Sequence, residues 1–494
     1  MPTSDHAVAE ERRSALRTGR GKLILLLLAG AQFLDIVDGA ITNVALPSIQ
    51  RGLHFSQQNL QWVASGYLLT YGGFLLLGGR VADLLGRRRI LVSGLVVFAL
   101  SSLAGGLAQN EGMLIGARIV QGVGAAMMAP AALSILTTTF REGRDRDTAL
   151  GVWGAIAGLG AATGVFLGGV LSEGPGWRWV LLVNLPVCAV ALGGSLRSLP
   201  GDRKRARFAD FDLAGAVLVT GGMLLLVYTL IKAPDVGWAT GRTIGMLVAS
   251  AVLLGAFLVN EQRSRKPLAP LSIFRIKGLA AADLTQLAAF AGFFALFFFL
   301  TLYMQEVLGY SPIKAGAAYL PVTATLALSA GLSSQLFARI GTRPVTVAGL
   351  LFSAGGMFYL SRVPLHGSYL PDLLPGLMIM AFGLGAVFVS VTAAANAGVP
   401  ADNAGLAAGL LNASQQLGMA LGLAVLSAVA SARTSHLLGE HVPRVRALTS
   451  GYHYALLTCA IFVAVAALIA PRTPNARVAG PPVALPVATE PALP

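Results

Sequence analysis

The chain has 494 residues, of which 55% are hydrophobic and only 12% charged, with a formal net charge of +14. Apolar runs recur with short polar breaks and the mean hydropathy is positive, which excludes a single water-soluble core and indicates a polytopic membrane protein. The basic excess is not a nucleic-acid face: with the N-terminus inside, 26 of the 36 Lys and Arg fall on the inner side and 9 on the outer, and only Arg118 lies within a span. That asymmetry places both termini in the cytoplasm and suits anionic lipid headgroups.

Fourteen spans are expected, near residues 23–46, 59–79, 90–109, 112–136, 148–172, 179–197, 213–231, 243–259, 279–303, 315–337, 345–361, 373–396, 405–430 and 452–470. Residues 1–22 read as a disordered cytoplasmic lead-in whose arginines help orient the first span. The first apolar run is too long for a signal-peptide h-region and continues into a second span, so it is read as a retained helix.

That first span carries two acids, Asp35 and Asp38, within QFLDIVDGAITNVALP at residues 32–47. At roughly 1.5 Å of rise per residue, Asp35 lies about 18 Å and Asp38 about 22 Å into a hydrocarbon core roughly 30 Å thick. An ionisable residue at that depth is costly unless it faces a wet cavity or a partner, and so marks a substrate or proton path. The alternative is a pair of protonated, tolerated acids.

The second span ends in GGRVADLLGRRR at residues 78–89. Its small residues, one acid and four bases resemble the loop between helices two and three of the major facilitator superfamily, matching at Gly79, Arg80, Asp83, Gly86, Arg87 and Arg88. Physically, Asp83 can accept hydrogen bonds from a loop arginine and from the exposed N–H groups of another helix's N-terminus, near Asn403 to Gly405, as a conformational latch. A plain positive-inside cluster would explain the arginines but not the acid or the glycine spacing.

The fourth span contains LIGARIVQGVGAA at residues 114–126. A buried guanidinium implies a partner, and Arg118, Gln121, Gly122 and Gly124 resemble a motif of proton-coupled members of the superfamily. Counted from the opposite membrane face, Arg118 lies about 9 Å below the outer boundary and Asp38 about 8 Å, so the two share one depth. The competing reading is an arginine snorkelling to the outer headgroups.

In the fifth span Gly158, Gly160, Gly164, Gly168 and Gly169 fall largely on one face, a pattern for close helix packing in lipid. The run resembles the superfamily's antiporter motif, with Val165 in place of the usual proline. Trp177, Arg178 and Trp179 fall where an outer aromatic belt is expected.

Organisation follows as an N-terminal six-helix half at 23–200, a two-helix insertion at 213–259, a C-terminal six-helix half at 279–470 and a disordered cytoplasmic tail at 471–494. Landmarks repeat at offsets of 255 to 261: Leu23 with Leu279, Gly86 with Gly341, Gly122 with Gly383, Gly160 and Gly164 with Gly418 and Gly422. The second copy loses the charges, since Ala338 and Ile379 replace Asp83 and Arg118. Asp283, about one turn into the ninth span, reads as interfacial, and Asn43, Gln121, Asn412 and Gln416 are polar candidates for lining a substrate cavity, alongside Asn396 and Gln415.

Cys188 and Cys459 sit in apolar spans and form neither a disulfide framework nor a metal motif. There is no GxxxxGK[ST], GxSxG or HExxH, so neither ATP use nor hydrolysis is indicated, and no cofactor is expected beyond an ion gradient as the energy source. The first-helix run at residues 37–47, with Asp38, Asn43, Ala45, Leu46 and Pro47, resembles the fourteen-helix drug:proton antiporter branch of the major facilitator superfamily. The resemblance implies an all-α fold of two six-helix halves with an inserted hairpin, working as a monomer in a bacterial plasma membrane. It implies proton-driven export of apolar, often cationic compounds, with Asp38 as proton carrier, Arg118 setting its affinity and Asp35 recognising substrate charge. Export of one endogenous metabolite, lipid or peptide is the alternative, and a membrane enzyme or sensor is a third.

Overall fold

The computed structural model describes residues 16, 18–140, 144–199, 201, 212–264, 267, 271–397, 399 and 404–476, and among these no strand occurs. The helices, in chain order, are α1 (Gly19–Leu53), α2 (Gln57–Leu85), α3 (Arg87–Gly106), α4 (Glu111–Thr139) and α5 (Arg144–Leu171). Next come α6, broken into Arg178–Leu182 and Asn184–Ser198, the hairpin α7 (Leu213–Val236) and α8 (Gly241–Arg263), and α9 (Leu279–Leu302). The last five are α10, broken into Pro312–Ala317 and Leu320–Ile340, α11 (Thr342–Leu360), α12 (Leu374–Asn396), α13 (Ala404–Gly439) and α14 (Arg444–Ile469).

Among the described residues ten helices are long and apolar enough to cross a bilayer. The apolar part of α7 is shorter, Ala214–Leu230, and α2, α5 and α11 interrupt their apolar runs with glycine and polar residues. Side chains set the starts: Thr18, Ser56, Asn110, Asp212, Thr240 and Ser311 each accept a first-turn backbone N–H, satisfying donors that a helix leaves unpaired. Gly86 and Gly341 take φ of 110° and 95°, a backbone region open to glycine, and reverse the chain from α2 into α3 and from α10 into α11. α1 begins beside the end of α6, where Arg20 donates to the Ser198 carbonyl. The chain after α14 lies on the start of α11, with Arg343 on the Thr473 carbonyl. We call the end of the bundle where α1 begins the near end.

The two halves repeat in their packing. In the first, α1 packs on α5 and α3 on α4, and in the second α9 packs on α13 and α11 on α12. The glycines explain why. Cβ atoms at Gly164 and Gly168 would each stand 2.8 Å from a carbonyl oxygen of α1, that of Val37 and of Ile41, and Gly418 and Gly422 lie more tightly still on the carbonyls of Leu287 and Ala291 of α9. One landmark is corrected: Gly122 approaches Tyr67 on α2, whereas Gly383 lies on Gly349 and Ser353 of α11. The packing counterpart of Gly383 is Gly124, which lies on Gly94 and Phe98 of α3.

The halves meet along α2 with α13 and along α5 with α10. At the far end they are shut on each other: a Cβ at Gly169 would stand 2.7 Å from the Pro312 carbonyl oxygen, Glu173 accepts from the Ile313 N–H at 3.2 Å and Gln305 donates to the Val44 carbonyl at 2.9 Å. The α7–α8 hairpin lies over the α2/α13 seam, where Thr220 donates to the Gly73 carbonyl and Tyr228 meets Trp62. The expected aromatic belt needs correction at Trp177, which is buried against Gly52 where Gly176, with φ of 104°, turns the chain just ahead of α6. Trp179 is exposed.

Leucine at Gly164 or Gly168 drives into the α1 backbone, an overpacking that costs about 1–3 kcal/mol. Both variants should insert normally, unfold at lower temperature in detergent and lose transport. Parental melting and transport in both would show that this face is not the α1/α5 contact.

Candidate functional site

Four helices of the first half converge on one carboxylate. Asp38 of α1 is fully buried and Arg118 of α4 is 1% exposed, and the Arg118 guanidinium meets Asp38 Oδ2 at 2.5 Å. The other oxygen, Oδ1, accepts from Gln121 Nε2 at 2.8 Å and from Asn184 Nδ2 of α6 at 2.7 Å. Both amides also donate to Ser102 Oγ of α3, so the carboxylate holds three donors that are themselves fixed. Arg118 is pinned in turn: Nε donates to the Val63 carbonyl of α2 at 2.9 Å and NH1 to Gln121 Oε1 at 2.7 Å, with its Cζ 4.4 Å from the centre of the Tyr67 ring.

Asp35, one turn earlier on α1, has its own partners. The hydroxyls of Tyr67 and Tyr71, both on α2, donate to its two oxygens, and the rings meet edge to face. Tyr67 thus links the two acids, giving its hydroxyl to Asp35 and its ring face to the cation paired with Asp38. No fully buried side-chain nitrogen or oxygen of this network is left without a partner, which is the condition under which buried charge is tolerated.

Gln121 is buried and engaged through both ends in the carboxylate network. Asn43 is buried with its Oδ1 unpartnered. Gln416 of α13 is buried against Gly72 of α2, also with a free oxygen, and Asn412 is partly exposed. Gly160 lies on Phe33 and Ile36 of α1. Arg87 bonds the end of α4 at Thr138, and Arg88 the Leu196 carbonyl of α6, so both tie helices of their own half. Gly79 touches Pro130 of α4, and Arg80 Nε is buried without a partner. The side chain of Asp83 and residues 401–403 lie outside the described residues, and the latch with them. Tyr67, Tyr71, Ser102 and Asn184 were absent from the sequence reading; the one signal available was the i, i+4 spacing of the two tyrosines.

A bundle of two repeated helical halves with a charge pair sealed inside one of them defines a polytopic membrane transporter. The chain belongs to the Major Facilitator Superfamily, whose family model matches residues 28–423. It is 40% identical to the puromycin resistance protein of Streptomyces alboniger over 90% of this chain and 88% of that protein. It is 38% identical to the cephamycin export protein of Amycolatopsis lactamdurans, covering 95% and 97%. With the lincomycin resistance protein of Streptomyces lincolnensis it shares 34% identity over 97% and 98%.

Removing one partner of a buried pair leaves an uncompensated charge, at about 3–5 kcal/mol. Arg118→Met should therefore lower the unfolding temperature in detergent more than Asp38→Asn with Arg118→Met together. If the double variant melts below the single one, the two residues do not depend on each other.

Proposed function

We propose that the protein exports apolar, cationic drugs or antibiotics across a bacterial plasma membrane in exchange for protons, with both termini cytoplasmic. The observation that carries this reading is the closed network around Asp38, deep in the bundle, supported by relatives named for antibiotic resistance and export. The narrower reading, export of one endogenous compound, is favoured by the cephamycin relative, whose name gives a single compound; a compound panel separates the two by breadth.

In this reading Asp38 is the proton carrier. Ionised, it is held by Arg118, Gln121 and Asn184. When a proton reaches it the ion pair is lost, yet Arg118 keeps the Val63 carbonyl, Gln121 Oε1 and the Tyr67 ring face, so no guanidinium is stranded. A shift of Arg118 moves the ring below it and with it the hydroxyl on Asp35. An arriving cation at Asp35 works the same lever in reverse, because it competes with the tyrosine hydroxyls for the carboxylate. Proton and substrate are thereby exchanged through Tyr67, while the halves alternate between the far-end closure described above and its opposite. No bond in the substrate is made or broken, and the free energy comes from the proton gradient rather than from ATP.

Asp38→Asn should abolish export driven by an imposed pH gradient in proteoliposomes yet leave binding of a neutral compound measurable. Arg118→Lys keeps the charge but not the planar fork, and should shift the pH optimum of export rather than only lower its rate. Proton-driven export retained by Asp38→Asn would remove Asp38 as the carrier and turn attention to Asp35.

A further inference from the structure

The second half holds a buried acid that the site above does not use. Asp283 of α9 is 6% exposed, and neither of its carboxylate oxygens has a hydrogen-bond partner. Asp38 has three donors and Asp35 two. One turn on, Gln286 is also buried and its Oε1 likewise has no donor, while its Nε2 donates to Gln415 Oε1 of α13 at 3.0 Å. Three buried acceptor oxygens without a donor thus belong to residues one turn apart on α9, the helix that packs on α13, an arrangement that costs free energy as long as it stays incomplete.

A proton completes it. A protonated Asp283 gains one O–H donor, and Gln286, three residues along the same helix face at about 5–6 Å between Cβ atoms, presents an acceptor. The ionised form is accommodated too: if both glutamines turn over together, Gln286 offers its N–H to the carboxylate and accepts from Gln415. The bond between α9 and α13 survives with donor and acceptor exchanged, so a proton can come and go without loss of a helix contact.

No described group on the surrounding elements is bonded to Asp283. Arg275 and Lys277 on the approach to α9 and Arg472 after α14 are exposed, and Arg20 and Lys22 stand at the near-end start of α1. Asp35 and Asp38 lie further along α1 with the partners given above. The remaining charges on α13 and α14, Arg433, His436, Arg444, Arg446 and His453, belong to the far end, together with Glu306 beyond α9, and α12 carries no charged side chain. Asp402 lies outside the described residues.

We propose that Asp283 is a second proton-binding site, which uses the Gln286–Gln415 pair as a reversible relay and carries its own proton in each transport cycle. It sits four residues, about 6 Å, into α9 at the near end, so it meets protons from that side, whereas Asp38 lies deep toward the other. Its part in transport rests on the proton-coupled reading above, but the site itself does not.

Infrared difference spectra of the full-length protein in lipid, recorded between acidic and alkaline pH without substrate, read protonated carboxyl groups by their C=O stretch. A titrating carboxyl band should vanish in Asp283→Asn, persist in Asp35→Asn and Asp38→Asn, and persist at a shifted frequency in Asp283→Glu. In proteoliposomes, protons counted per exported molecule should fall to about half in Asp283→Asn, with export continuing. A spectrum unchanged by Asp283→Asn overturns the site, and an unchanged proton count despite loss of the band overturns its role in coupling. Export by the parent that ignores an imposed pH gradient would instead strike the proton-coupled reading, with the infrared result standing apart from it.

Discussion

A carboxylate and a guanidinium taken out of water each lose several kcal/mol of hydration, and nothing in hydrocarbon returns it. Asp38 and Arg118 are kept in the bundle because each offsets the other's loss and because Gln121, Asn184, Ser102 and the Val63 carbonyl take up the remaining hydrogen bonds. This one requirement reaches outward through the fold. It needs α1, α2, α3, α4 and α6 to approach from different directions at one depth, and that convergence is the tertiary structure of the first half.

Close approach is set by residues with no chemistry of their own. Gly164 and Gly168 let α5 lie on the carbonyls of α1, and Gly94 with Gly124 does the same for α3 and α4. In lipid there is little hydrophobic gain on bringing helices together, so backbone contact of this kind is a main source of association. The same packing recurs on α9 and α13 around no charge pair among the described residues, which separates the scaffold from the site: the repeat builds two alike frames, and the buried ion pair described here occupies one.

Depth was legible in the sequence because helical rise is uniform, so counting from opposite faces put Asp38 and Arg118 level before any packing was known. Which side chains would surround them was not. Asn184, Ser102 and Tyr67 are single polar residues in apolar runs, and only the rotation of each helix decides whether such a residue faces lipid, a neighbour or an ion. The repeat shows the same limit, because identity matched Gly122 to Gly383 although the helix contacts pair Gly383 with Gly124. Trp177 was read as a membrane anchor from its position, but the turn at Gly176 ahead of α6 puts it against Gly52 in the core, and composition does not register which way such a turn faces. Asp283 was read as interfacial from its distance to the helix start; that it lacks any donor is a property of its neighbours.

The α7–α8 hairpin covers the α2/α13 seam and turns Val248, Val252 and Leu258 outward, whereas along α10, which packs on α5 at the other seam, Leu328, Leu332 and Leu336 stand exposed. The two flanks of the molecule are thus unlike, although the halves are repeats. To the acyl chains one flank presents α7 and α8, and the other presents α10 itself. An inserted hairpin whose described residues make no bond to the Asp38–Arg118 network therefore gives a pseudo-symmetric protein two unlike faces toward its lipid surroundings.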